Sequence, residues 1–461
     1  RRDADGIRVW VHIADVSAYV RPGDVIDAEA YRRCTSVYLP GSVEPMLPPE
    51  LSNDACSLVP GKERRAVTVE MLFDGPTVTK VAFARTLIRS DARLTYGQVD
   101  EIFAGRAQAA EPWAEPLALA REVGKALDGH RLERNALTVD TAESVFEFDK
   151  TGDVADSEQE RQTESHRVVE HLMIAANEQV ATYLEQQKLP ALFRVHERPD
   201  PESVERLVEQ LADLDVATPP MPDSFTSQEA EQLVGKISES VATHVKRVGH
   251  GQAGLTSLVL RSLKMAVYSP KNLGHSGLSS PRYCHFTSPI RRYPDLIVHR
   301  ALLAGLGLDD CAPLERDLPE AATDTSTRER DAVKIERKAD AICRAFLLDA
   351  MLKEELAGRG SKRVAVDEDG EVMHGVFDGE VTGMVASGVF VAFGDQLQFE
   401  GFVRGRDLRE LLGGYWKMNE FATAMEDDES GRRLTVGQSL IVQVERVDTA
   451  RARVDLLPLK V

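Results

Sequence analysis

The segment from His285 to Leu296 reads HFTSPIRRYPDL, and no other stretch of the sequence restricts the fold and chemistry as strongly. Two adjacent arginines, Arg291 and Arg292, follow a proline-punctuated turn and stand between aromatic residues. A guanidinium group presents a planar fork of donors that fits phosphate oxygens, and aromatic rings stack on nucleic-acid bases. This combination predicts contact with a nucleic acid.

The residues around this segment carry a local excess of positive charge. Between Val259 and Arg300 there are seven lysines and arginines and one aspartate, although the whole chain has a formal net charge of −19. Four aromatic residues interleave with these cations: Tyr268, Tyr283, Phe286 and Tyr293. The pattern favours a basic groove that follows a nucleic-acid strand over the alternative of a solvated charged face.

Length and composition set broad limits. The 461 residues are enough for about two to four domains, and 43% apolar with 28% charged residues is typical of globular proteins. No apolar run approaches the roughly 20 residues that a membrane helix needs. The five cysteines are scattered without a CxxC pair, which favours reduced thiols and a cytoplasmic protein.

Periodicity predicts strands followed by helices in the first three quarters of the chain. Runs of apolar residues indicate strands over 7–20 and 66–90. Helical spacing indicates helices over 165–187, 203–213 and 228–248. The sequence from Ser326 to Glu329 has the form of a capping box, so we expect a long helix to open there and to run to about Ala357.

The pattern changes to short strands after a glycine-rich linker at 358–361. Apolar runs separated by glycines and polar turns continue from Gly375 to Val444. Their size and rhythm predict a five-stranded OB barrel, which we place at residues 371–461. Residues 418–433 would form a long polar insertion in it.

Several short motifs occur in a fixed order along the chain. They are HIADV (12–16), YLPG (38–41), PMLP (45–48), VEHLMIAAN (169–177), RVHERP (194–199), the stretch 268–278 and the opening segment extended to Arg300. In this order and spacing they resemble the ribonuclease II/R (RNB) family of exoribonucleases, and most closely its bacterial ribonuclease R branch. The resemblance implies an α+β fold, in which an RNB catalytic domain with a mixed β-sheet surrounded by helices fills residues 1–360.

The same resemblance implies a 3′→5′ exoribonuclease that hydrolyses single-stranded RNA processively to 5′-nucleoside monophosphates with Mg²⁺. The alternative is a catalytically inactive RNA-binding protein or regulator with the RNB fold. We expect single-stranded RNA as the partner, no membrane association, a monomer and a cytoplasmic location.

Three residues are expected to act on the RNA backbone or the reaction. By resemblance, Arg291 contacts the terminal phosphate groups, with a surface ion pair as the alternative. Arg292 is assigned to RNA contact or to structure. Glu336 stands where the family has a catalytically important glutamate, and a local helix salt bridge with Lys334 or Arg337 is the alternative.

One tyrosine is expected to hold the end of the RNA. By resemblance, Tyr38 stacks on the 3′-terminal base, with a half-buried core tyrosine as the alternative. Val139 stands where the family has a second stacking aromatic, so we expect either that the base is gripped from one side or that another ring takes this place.

A tyrosine and a glutamate are expected to distinguish ribose from deoxyribose. Tyr96 and Glu170 match the family pair with this role, and a phenol with a carboxylate can read a 2′-OH because that group both donates and accepts. The alternative for Glu170 is a buried salt bridge to Arg167 or His171.

The metal site is expected outside this sequence. In the family, four aspartates that organise Mg²⁺ precede the segment matching Ile7 to Asp15. Asp3 and Asp5 do not fit their pattern, and Asp15 matches a later position. We therefore expect the Mg²⁺ ligands upstream of Arg1 and assign no metal ligand within the chain. Three histidines, whose spacing suits no common zinc site, receive structural or RNA-contact roles: His12, His196 and His285.

The predicted barrel resembles the RNA-binding OB fold named after ribosomal protein S1. Phe390 matches a base-stacking position, and Ser387 stands where an aromatic often precedes the glycine. The alternative for both Phe390 and Phe402 is a place in the barrel core.

Overall fold

The computed structural model describes residues 1–133, 143–222, 224–357, 365–366 and 372–460. The chain folds as two compact units. The first unit comprises Arg1–Asp140, Arg161–Glu197 and Met265–Glu336, and the second comprises Thr141–Glu160, Arg198–Lys264 and Arg337–Val461. Among the described residues, no helix combines the length and apolar character that crossing a membrane requires.

The α-helices, in chain order, are α1 (Val25–Arg33), α2 (Tyr96–Phe103), α3 (Ala114–Glu133), α4 (Glu164–Gln186), α5 (Pro201–Asp213), α6 (Ser227–Val248), α7 (Gln252–Arg261), α8 (Tyr293–Gly305), α9 (Leu318–Leu356) and α10 (Gly405–Leu412). A π-helical turn spans Glu50–Ala55.

The strands are β1 (Arg2–Asp3), β2 (Gly6–Ala14), β3 (Val37–Leu39), β4 (Ser42–Glu44), β5 (Glu63–Asp74), β6 (Thr77–Arg89), β7 (Glu143–Phe148), β8 (Val154–Glu160), β9 (Phe193–Val195), β10 (Val267–Ser269), β11 (Ala365–Val366), β12 (Val372–Met373), β13 (Val376–Val385), β14 (Gly388–Phe393), β15 (Phe399–Arg404), β16 (Trp416–Met418), β17 (Ala424–Asp427), β18 (Arg433–Thr435), β19 (Ser439–Asp448) and β20 (Arg453–Lys460).

The first unit is built on a four-stranded sheet in the order β1-β2-β5-β6. Alternate residues of β5, Val67, Val69 and Met71, are fully buried and share one apolar core with Val180 of α4 and Val298 of α8. The predicted strands over 66–90 and the predicted helix over 165–187 are confirmed, whereas the strand predicted over 7–20 ends at Ala14 and is followed by a short 3-10 helix, Val16–Ala18. Every neighbouring pair in the sheet is antiparallel, where a mixed sheet was expected. Short hairpin turns such as the one between β5 and β6 can join only antiparallel strands.

The aromatic residues expected to line a basic groove lie in the core instead. Tyr268, Tyr283, Phe286 and Tyr293 are each at most 6% exposed. The reason is that α8 is buried on all sides from Tyr293 to Leu303, so the rings around it fill apolar space. Arg300 is buried as well and pairs with Asp27 at 2.7 Å. The prediction of an aromatic-lined groove over 259–300 is therefore wrong.

The long helix α9 begins eight residues before its predicted start. Ser326, the expected N-cap, lies inside the helix, and its hydroxyl donates to the carbonyl oxygen of Ala322 at 2.7 Å. A serine inside a helix can donate in this way to the preceding turn. In the sequence such a serine looks the same as an N-cap. The predicted end near Ala357 is confirmed, because α9 ends at Leu356.

The second unit contains a closed barrel in the order β13-β14-β15-β20-β19, which confirms the predicted OB fold. The predicted polar insertion over 418–433 folds as part of a three-stranded sheet, β16-β17-β18, in which Met425 and, one residue past the insertion, Leu434 are buried. Helices α5 to α7 belong to the same compact unit as the barrel. The predicted linker at 358–361, and with it the boundary between the predicted domains, lies outside the described residues.

Candidate functional site

Tyr38 lies on a small hairpin of β3 and β4, paired across it with Val43. Its side chain is 46% exposed. This exposure leaves part of the ring accessible for stacking. Val139, where a second ring was expected, lies outside the described residues.

Glu336 contacts this hairpin directly. Its Oε1 accepts a hydrogen bond from the backbone amide of Tyr38 at 2.8 Å. The local salt bridge offered as the alternative is not formed by Lys334, which pairs with Asp331. Two turns earlier on the same face of α9, Glu329 accepts from Arg194 at 2.5 Å, which fixes the helix at a second point.

Arg291 is attached to the same stretch of chain by its backbone. Its carbonyl oxygen accepts from the amide of Ser36 at 3.0 Å and from the hydroxyl of Thr35 at 3.1 Å. Its side chain is exposed and makes no hydrogen bond or ion pair with the residues that the structure describes. Since Ser36 is two residues from Tyr38, the structure brings Tyr38, Arg291 and Glu336 together.

The Arg292 side chain, unlike that of Arg291, is paired within the protein. Its guanidinium donates to both oxygens of Asp295, at 2.7 and 2.8 Å, and Asp295 also accepts from the amide of Ser288 at 2.7 Å. Burial opposes the charge of Arg292, but the neighbouring Asp295 carboxylate outweighs it, so the pKa of Arg292 is raised. These contacts favour the structural role for Arg292.

Tyr96 and Glu170 lie along one side of α4. The Tyr96 ring, 43% exposed, stacks on the imidazole of His166 with centroids 3.7 Å apart. His166 and Glu170 are one helical turn apart and therefore share a face. Glu170 accepts a hydrogen bond from Arg131 of α3 at 3.0 Å.

Arg131 also determines which ring nitrogen of the neighbouring His171 carries the proton. Its Nη1 lies 3.1 Å from Nδ1 of His171, whose Nε2 lies 3.0 Å from Asp128. Because arginine only donates, Nδ1 accepts and Nε2 carries the proton that is donated to Asp128. Burial, followed by the charge of Arg131, lowers the pKa of His171. The sequence analysis missed Arg131, since it comes from another helix and 39 residues away.

The three histidines considered as metal ligands have structural partners. His12 contacts the Thr68 hydroxyl at 2.7 Å, His196 accepts from the amide of Gly277 at 2.9 Å, and His285 contacts the Tyr268 hydroxyl at 2.8 Å.

Only one cluster among the described residues has metal-ligand types in suitable proximity: Asp309, Asp310 and Cys311. Asp309 is already paired with Arg21 at 2.9 Å and with Arg85 at 3.1 Å. Mg²⁺ requires oxygen ligands in octahedral geometry, and a carboxylate bound by two guanidinium groups is not available to it. These residues do not fit a Mg²⁺ site.

In the second unit, Phe390 projects from the outer surface of the barrel. It is 36% exposed, and its ring centroid lies 5.0 Å from that of Phe402 on the neighbouring strand. Val389 and Val391 on either side are fully buried. The core alternative therefore fails for Phe390, and Phe402 is half-buried beside it.

Comparisons with known proteins match most of the chain. The family model for the RNB domain matches residues 1–307, and that for the S1 RNA binding domain matches residues 373–457. Ribonuclease R of Aquifex aeolicus is 34% identical over 455 residues, which cover 97% of this chain and 59% of that protein. Ribonuclease R of Escherichia coli is 33% identical over 471 residues, covering 99% and 54%. The chain thus spans somewhat more than half of these relatives.

A solved structure, the apo form of Mycoplasma genitalium RNase R, is similar with a TM-score of 0.85 and 25% identity. The match covers 99% of this chain and 68% of that one. The same protein in complex with ribose methylated single-stranded RNA gives the same values.

Proposed function

The chain belongs to the RNB family and contains an S1-type OB barrel, and from this premise we propose that it is the RNA-degrading region of a 3′→5′ exoribonuclease. It hydrolyses single-stranded RNA processively to 5′-nucleoside monophosphates. Relatives that bear the name ribonuclease R, one of them solved with single-stranded RNA, support this substrate class.

The observation that carries the proposal is the junction of Tyr38, Arg291 and Glu336. An exposed ring, an exposed guanidinium without a partner among the described residues and a carboxylate are held by hydrogen bonds to one backbone stretch. The ring stacks on the 3′-terminal base, and the guanidinium binds the terminal phosphate as a fork. Glu336 fixes the hairpin that carries the ring.

Selection for RNA lies at Tyr96 and Glu170. The phenol and the carboxylate lie on one side of α4, where they contact the ribose 2′-OH as acceptor and donor partners. A deoxyribose leaves the Glu170 carboxylate without that donor, so DNA binds less well.

Catalysis depends on Mg²⁺, as the family resemblance implies, but the cluster of Asp309, Asp310 and Cys311 does not supply its ligands, because two guanidinium groups already bind Asp309. The same observation favours a second candidate function, that of an RNA-binding protein or regulator with this fold and no catalysis. Scattered thiols, none of which forms a disulfide in the structure, support a reducing, cytoplasmic setting, where we expect a monomer.

The deciding experiment uses protein from the complete reading frame and 5′-labelled single-stranded RNA, with Mg²⁺ or EDTA. We expect a ladder that shortens from the 3′ end only with Mg²⁺, and no degradation of DNA of the same sequence. Binding of RNA without degradation in either condition would establish the second candidate instead.

A further inference from the structure

A guanidinium group from α7 lies on the outer surface of the barrel beside Phe390. Gly383 of β13 pairs directly with Phe390 of β14, and directly opposed residues of two strands project from the same face of the sheet. A Cβ built on Gly383 would lie 3.3 Å from Nη2 of Arg261 and 3.8 Å from Nη1. The Arg261 guanidinium therefore occupies the place of a side chain next to Phe390.

Arg261 is available for a ligand. It is exposed and makes no hydrogen bond or ion pair with any part of the chain that the structure describes. Two other arginines of the barrel are paired: Arg404 contacts Asp407 at 2.6 Å, and Arg453 contacts Asp455 at 3.1 Å. Phe390 and Phe402 thus have an uncompensated positive charge next to them.

The position of Arg261 follows from a buried contact at the N-terminal end of α7. The carboxylate of Glu380, 4% exposed, accepts from the amides of Gly251, Ala253 and Gly254 at 2.8 to 3.0 Å. A carboxylate at a helix N-terminus satisfies free amides and complements the helix dipole. This contact fixes the start of α7 to Glu380, which lies three positions before Gly383 on β13.

Gly254 allows the helix to approach the barrel closely. A Cβ there would lie 2.7 Å from the carbonyl oxygen of Val381 and 2.8 Å from the amide of Gly437, so glycine is the residue that fits. From Gly254, α7 rises about 10 Å to Arg261, which brings its last side chain over Gly383. The placement results from these two anchors rather than from a loose surface contact.

We propose that Arg261 completes the RNA-binding surface of the barrel. A base of single-stranded RNA stacks on Phe390, and the guanidinium binds the adjacent phosphate. Arg261 lies more than 100 positions before the residues that match the S1 domain. The binding surface of the barrel therefore includes a residue of α7, which is not part of the S1 domain. The inference rests on the proposed function, in that it takes single-stranded RNA as the ligand.

The test measures binding of a fluorescent single-stranded RNA to the whole chain by anisotropy, over a series of salt concentrations. We expect Arg261→Gln to weaken binding several-fold and to reduce the slope of log K against log salt by about 0.7, the contribution of one phosphate contact on a single strand. Arg247→Gln is the matched control. It removes the same charge from an exposed site at the end of α6 and should change neither quantity.

Two further variants distinguish a failure of this inference from a failure of the proposed function. Gly383→Thr displaces the guanidinium without changing the net charge, and it should weaken binding as Arg261→Gln does. Phe390→Ala should also weaken binding, and the Arg261→Gln effect should shrink in its presence because both residues hold the same nucleotide. If the unaltered chain does not bind RNA, the proposed function fails. If Phe390→Ala weakens binding while Arg261→Gln equals Arg247→Gln, this inference is wrong.

Discussion

The backbone amide of Tyr38 donates a hydrogen bond to Oε1 of Glu336 at 2.8 Å. The two residues are 298 positions apart, and the bond fixes the β3–β4 hairpin to α9. We therefore expect Glu336, which sequence resemblance marks as catalytic, to position Tyr38, the residue proposed to stack on the terminal base.

Replacement of Glu336 separates positioning from charge. Glutamine retains an oxygen that can accept from the Tyr38 amide, whereas alanine does not. We expect Glu336→Ala to weaken binding of RNA with a free 3′ end by about tenfold, the effect of one lost hydrogen bond to a charged group, and Glu336→Gln to bind nearly as well as the unaltered protein. Affinities for 3′-hydroxyl and circular RNA give the comparison. Equal weakening by both variants would contradict the positioning role.

Arg291→Ala should lower the rate of RNA hydrolysis far more than the affinity for RNA. The side chain is exposed and unpaired within the described residues, so its removal takes away a phosphate contact and leaves the fold intact. Single-turnover rates and anisotropy on the same RNA measure the two quantities. A parallel fall in rate and affinity would make Arg291 a binding residue only.

Arg292→Ala should destabilise the protein by about 3–5 kcal/mol, because it leaves the fully buried Asp295 carboxylate without its partner. Chemical denaturation followed by circular dichroism measures the change in the free energy of unfolding. The neighbouring Arg291→Ala is the control and should lie within about 0.5 kcal/mol of the unaltered protein. Similar stabilities for the two variants would refute the structural role of Arg292.

The sequence was informative wherever one residue or one short motif carries the signal. The motifs identified the family, and the alternation of short strands identified the barrel, because both depend on neighbours in the sequence. The start of α9 was missed because Ser326 bonds back within the helix, a use of serine that looks like a cap in the sequence.

The candidate site shows the same limit. Tyr38, Arg291 and Glu336 were each predicted, but the bonds that join them link residues 256 and 298 positions apart. The aromatic residues around Arg291 were misread because composition cannot distinguish a stacking surface from a core that packs on a helix buried all round. Long-range packing decides such cases.

Arg131→Gln should reduce the preference for RNA over DNA. Its guanidinium holds the Glu170 carboxylate at 3.0 Å, and without it the carboxylate can turn away from the position in which it reads the 2′-OH. We expect the ratio of RNA to DNA affinity to fall several-fold, while affinity for DNA stays the same. Paired anisotropy titrations with RNA and DNA of one sequence measure this ratio.

The matched control is Arg121→Gln, which breaks another ion pair between α3 and α4, formed with Glu164 at 2.6 Å. It loosens the same pair of helices without touching Glu170. A loss of selectivity in both variants would assign the effect to helix packing rather than to the position of Glu170.

Acid should destabilise the first unit through its buried histidines. Burial, and then the charges of His196 and Arg194, lower the pKa of His275 from 6.5 to about 3, and burial lowers that of His285 as well.

In the unfolded chain both groups take up protons below pH 6.5. Unfolding at pH 5 therefore binds more protons, by about one at each site, and the free energy of unfolding falls as pH drops from 7 toward 4. His275→Phe removes one of these groups and should make the fall shallower. Denaturation curves at pH 7, 6 and 5 measure the slope, and an unchanged slope in His275→Phe would show that His275 is not neutral in the folded protein.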